Sequence, residues 1–122
     1  MSTPAVIGKR NPDKTITSIS VHWDGYPEHT GKILKEVYNT PEKVDELLKL
    51  GNLSFLGTKL YPTRSDHTFD HPQKDVTIAY GRDRHEEGNE AQTYPNIRQW
   101  LKNSDYCYAY LFADNEWKRV SY

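Results

Sequence analysis

One cysteine, Cys107, stands in 122 residues. No intrachain disulfide can form, so the fold has to hold by packing, and the composition suits a reducing cytosol. Apolar residues are scarce, at 35% of the chain, and mean hydropathy is −0.90. No run approaches the ~20 apolar residues that cross a bilayer. The opening MSTPAVIGKR lacks the apolar stretch of a signal peptide. No membrane partner is therefore expected. Neither sign of charge dominates: 16 Lys and Arg stand against 17 Asp and Glu, for a net charge of −1. A general DNA-backbone binder is normally basic and a DNA mimic strongly acidic, so both roles are disfavoured. The Walker spacing, GxGxxG, CxxC pairs and HExxH are missing, and no cofactor or metal is expected.

What the chain does have is aromatic rings: three Trp, nine Tyr and three Phe. Each buries about 150–250 Å². At this length folding removes roughly two-thirds of the unfolded surface, enough for one core without staples. A single domain over residues 1–122 is expected.

AVIGKRNPDKTITSISVHW reads as a hairpin turning at NPDK. In its second strand Thr17, Ile19, Val21 and Trp23 alternate with Ser18, Ser20, His22 and Asp24. This predicts Trp23 in the core and His22 with Asp24 on a polar face. Ile33, Leu34, Val37 and Tyr38 have helical spacing. So do Val44, Leu47 and Leu48, after a Thr40 cap and Pro41 and before Gly51. DVTIAYGRD reads as a strand followed by a polar loop, and the most polar stretch, Asp83 to Gln92, is expected to stay a loop. YPNIRQWLKN suits a short helix, and YCYAYLFADNEWKRVSY a hairpin turning at Asp114-Asn115. The expected class is α+β, with about five mostly antiparallel strands and two or three helices packed largely on one face.

Four groups of residues invite a chemical reading. His22 and Asp24 could form a base and its orienting carboxylate, although no Ser or Cys nucleophile is marked by a motif; a polar strand end with a turn aspartate explains them as well. Tyr26 lies in the same turn. His67 and His71 stand four residues apart beside Asp66 and Asp70, but Pro72 and the loop character speak against a metal pair; Phe69 then plugs the core. Arg82 and Arg84 flank Asp83, after a strand end. They could grip a phosphate or carboxylate, or be neutralised by Asp83, Glu86 and Glu87. Tyr106, Tyr108 and Tyr110 share one strand face with Phe112. With Cys107, Ala109 and Leu111 as candidates to lie under a helix, that tyrosine face could stay open as a binding surface.

HWDGY, the KV…L..LG.LS.LG segment, HTFDHP, AYGRDR and YLF…W together span Ile16 to about Trp117. This pattern resembles a family of small hypothetical proteins encoded by phages and prophages. Its motifs mark His22, Trp23, Asp24, Gly25, Tyr26, Arg82, Asp83 and Arg84, without an assigned role; His85 replaces the glycine found after RDR in many relatives. The resemblance implies an accessory protein in the cytoplasm of an infected bacterial host. It would counteract an antiviral defence, such as CRISPR or another nuclease effector, by stoichiometric binding of a host protein. The alternatives are a sponge for a nucleotide immune signal, with homo-oligomers forming its pockets, and a small hydrolase or metal enzyme using His22 and Asp24.

Overall fold

Turn chemistry sets the first hairpin. Lys14 takes a left-handed φ of 71°, and the Asn11 N–H donates to the Thr15 carbonyl. In the computed structural model, which describes residues 2–121, this turn joins β1 (Ala5–Arg10) to β2 (Ile16–Val21) in antiparallel register, Ile7 opposite Ile19. A π-helical turn (Pro27–Gly31) runs directly into α1 (Lys32–Glu36). The Thr40 hydroxyl then accepts the Lys43 N–H at 3.3 Å and starts α2 (Pro41–Lys49), with Pro41 in the first turn as expected. Gly51 follows with φ +76°.

The remaining elements are β3 (Leu53–Phe55), β4 (Ile78–Ala79), α3 (Tyr80–Arg84), β5 (Gln92–Tyr94), α4 (Ile97–Lys102), β6 (Tyr108–Ala113) and β7 (Glu116–Val120). Asp114 and Asn115, both at positive φ, turn β6 into β7. The sheet order is β4-β3-β2-β1-β6-β7, with β5 also paired to β2. The β1–β6 and β2–β3 pairs are parallel and the rest antiparallel, so the sheet is mixed and the domain α+β.

The sheet separates two apolar clusters. Ala5, Ile7, Ile19, Val21, Tyr110 and Phe112 meet Ile33 and Leu34 of α1 and Val44, Leu47 and Leu48 of α2. On the other face Val6, Ile16, Ala109 and Leu111 meet Trp100 and Leu101 of α4. Each fully buried Leu or Ile contributes roughly 1.5–3 kcal/mol relative to exposure.

Three expectations change here. The sheet has seven strands rather than about five, because β3 and β5 are three residues long and leave no readable alternation. Helices lie on both faces: the serine face of β2 is covered by α4, where the indole N–H of Trp100 donates to the Ser18 hydroxyl at 2.7 Å. The segment after β4 is the helix α3 rather than a loop, ended by His85 at φ 56°.

Candidate binding surface

The loop from Leu60 to Thr77 is closed by three side chains from the motifs. Arg82 donates to the carbonyls of Leu60 (2.7 Å) and Thr77 (2.6 Å), and its fork grips both carboxylate oxygens of Asp83. Asp83, with its side chain 4% exposed, also accepts the Ala79 N–H at 2.8 Å. The buried ring of His67 accepts the Gln73 N–H on Nδ1 and brings Nε2 within 3.2 Å of Asp83 Oδ1, outside hydrogen-bonding alignment. Burial would raise the Asp83 carboxyl, but the Arg82 and Ala79 hydrogen bonds, the Arg82 charge and His67 outweigh it and hold it below its ordinary value.

Arg82 and Asp83 therefore clamp the neck of a loop, and their polar atoms are engaged internally. Arg84 is the accessible member; its guanidinium lies 5.0 Å from the Phe69 ring and 3.5 Å from a Glu86 oxygen. Phe69 does not plug the core. It packs at the surface between Arg84 and Tyr80. His67 turns inward and His71 stays exposed, so the metal-capable pair is not brought together. No group of three potential metal-binding side chains occurs among the described residues.

The stretch VHWDGYPEH is built by its backbone. Asp24 adopts φ 56°, and its carbonyl accepts the Thr30 hydroxyl at 2.8 Å. The Gly25 N–H donates to Thr3 at 2.8 Å, and the Gly25 carbonyl accepts the Tyr110 hydroxyl at 2.7 Å. A Cβ on Gly25 would lie 2.5 Å from the Thr3 oxygen, so only glycine fits. β2 ends at Val21; the His22 and Trp23 N–H groups still donate to the Leu53 and Ser54 carbonyls of β3 at 3.0 and 2.9 Å, but the Trp23 ring does not continue the inward alternation. Trp23 is 43% exposed, which corrects the core expectation, while Tyr110 occupies the space beneath the turn. The His22 and Trp23 rings meet edge to face, centroids 4.7 Å apart. His22 and Asp24 make no hydrogen bond to one another; Tyr26 is half-buried, 6.2 Å from the His29 ring, and His29 bonds the Leu56 carbonyl.

The tyrosine face is not open. Tyr110 and Phe112 are core residues under α1 and α2, because helices cover both sides of β6. Tyr108 is half-buried beside Arg119, and Tyr106 packs on the opposite cluster. Burial raises the Tyr110 hydroxyl far above its ordinary value, against the opposing charge of Arg119.

Sequence reasoning missed a cavity of about 420 Å³ between α1 and β7, lined by Lys32, Lys35, Lys118 and Arg119 over Tyr110 and Trp117. Its only sequence signal is two lysines three residues apart on the exposed side of an amphipathic turn. Nothing in the sequence pairs that turn with WKR.

Comparison with protein-family models, curated proteins and solved structures finds no match to this chain. No helix among the described residues is long and apolar enough to cross a membrane.

Proposed function

We propose that this chain acts by stoichiometric binding, as a phage-encoded accessory protein that blocks a host antiviral effector in the host cytoplasm. The observation that carries the binding half of this reading is Trp23. A large ring stands 43% exposed beside His22, on a turn whose backbone is held by Thr3, Thr30 and Tyr110. Tryptophan dominates binding hot spots, and an anchor fixed before binding loses little entropy on docking. The phage and anti-defence half rests on the HWDGY…AYGRDR pattern. The alternative, capture of a nucleotide immune signal, is favoured by the basic cavity beside α1.

Expression of the chain in bacterial strains that each carry one nuclease-type defence tests the first reading. Phage plating recovers in at least one strain, and Trp23→Ala abolishes the recovery while the variant keeps the circular dichroism spectrum of the folded chain. Recovery in none of them, or full recovery with Trp23→Ala, refutes it. Titration of the purified chain with cyclic nucleotides tests the alternative.

A further inference from the structure

The cavity between α1 and β7 gathers four cationic residues around one hollow. Lys32, Lys35, Lys118 and Arg119 line it, against the single lining carboxylate of Glu36, in a protein of net charge −1. Lys118 is 3.6 Å from Glu116 across half-exposed side chains. Lys32, Lys35 and Arg119 form no ion pair with any described residue. Like charges gathered around one hollow repel, and a bound anion relieves that repulsion.

Two separate elements supply these cations. The two lysines are neighbours on α1, one turn apart. Lys118 and Arg119 come from β7, an edge strand with one free side, so residues from both of its faces can border the hollow. The floor between them is Tyr110 of β6: a Cβ on Gly31 would lie 3.1 Å from Tyr110 Cε1, so the glycine lets the helical turn settle on the tyrosine ring.

The remaining walls are apolar or ring-shaped. Pro27, Tyr110 and Trp117 form them, and the polar atoms of both rings are engaged: the Tyr110 hydroxyl on Gly25 and the Trp117 indole N–H on Tyr38, each at 2.7 Å. A second hollow of about 360 Å³ shares the walls Lys35 and Trp117 with the first and is bordered by Asn39, Phe112, Asn115 and Glu116. One end is thus cationic and the other carries amides and a carboxylate. The first hollow alone falls within the range of about 300–1,000 Å³ typical of small-molecule sites.

We infer that this groove binds a phosphate-bearing small molecule of mononucleotide size, its phosphate among Lys32, Lys35, Lys118 and Arg119 and its uncharged part toward Asn39 and Asn115. Phosphate chemistry fits because lysine ammonium groups and an arginine fork donate to its oxygens. A small molecule fits better than a nucleic-acid strand because the cations surround one hollow instead of following a track. The inference does not depend on the role of Trp23.

Calorimetry with adenosine monophosphate, inorganic phosphate, adenosine and an oligothymidylate tests it. Adenosine monophosphate binds one to one, and adenosine binds at least about tenfold more weakly because it lacks the charge that the cations attract. Lys35→Glu and Lys118→Glu each lower adenosine monophosphate affinity at least about tenfold, since reversal turns attraction into repulsion. Both side chains are exposed, so the melting temperature holds; Trp23→Ala leaves this binding unchanged. Inorganic phosphate competing at the same site with weaker affinity supports the assignment of the cationic end. Equal binding of adenosine and its monophosphate, unchanged affinity in both reversals, or tighter binding of the oligothymidylate overturns the proposal.

Discussion

Asp83→Ala is the sharpest perturbation of the loop neck. It removes the fork to Arg82 at 3.0 and 3.1 Å, the bond from the Ala79 N–H at 2.8 Å and the contact with His67 at 3.2 Å. Breaking a buried ion pair from one side costs about 3–5 kcal/mol, because the partner charge stays behind. Arg82 keeps its bonds to Leu60 and Thr77 and part of its contact with water. The expected loss therefore sits at the low end, about 3 kcal/mol at neutral pH. Urea unfolding reads it directly, as a lower midpoint with an unchanged slope. Hydrogen exchange should show the residues between Leu60 and Thr77 losing protection first. The loss also depends on pH. The folded Asp83 carboxyl titrates below its ordinary value of 3.8. Its stabilisation is complete above the unfolded value and is lost as pH falls through the lower folded one, so wild type and variant begin to converge only below about pH 4. A loss under about 1 kcal/mol at pH 7, smaller than one charged hydrogen bond contributes, would refute the clamp.

Trp100, packed on the serine face of β2, and Trp23, just past its end, should differ in cost. Trp100 is fully buried and bonded to Ser18, so Trp100→Ala costs about 3–5 kcal/mol. Trp23 is 43% exposed, so Trp23→Ala costs less in the same urea titration, about 1–2 kcal/mol. Of nine tyrosines, Tyr38 and Tyr110 titrate late, because burial disfavours the phenolate at both. An ultraviolet titration of the folded chain should show these two ionising only as the protein unfolds in alkali; ionisation of Tyr38 and Tyr110 near pH 10 with the fold intact would contradict their burial.

Much of the scaffold was legible in residue order. The Thr40 cap, Pro41, the stop at Gly51 and the Asp114-Asn115 turn are local devices whose geometry depends on a few neighbouring residues. The stripes of Ile33 and Leu34, and of Val44, Leu47 and Leu48, repeat often enough to mark a buried helix face. The candidate site was less legible. AYGRDR was visible as a charged cluster, but its role depends on carbonyls of Leu60 and Thr77 and on the ring of His67, all outside the motif.

By itself the sequence determined where helices cap and hairpins turn, which helix faces are apolar, and that the chain lacks strong net charge. Those properties follow from side chains within a few residues of one another. The tertiary structure decided that Trp23 faces outward and Trp100 inward. It also decided that Arg82 is a clamp, and that Lys32 and Lys35 share a hollow with Lys118 and Arg119. The burial of Trp100 depends on α4 crossing the serine face of β2, and the shared hollow on the parallel β1–β6 pair that brings β7 into the sheet, contacts between residues about 80 and 100 positions apart that no local pattern encodes.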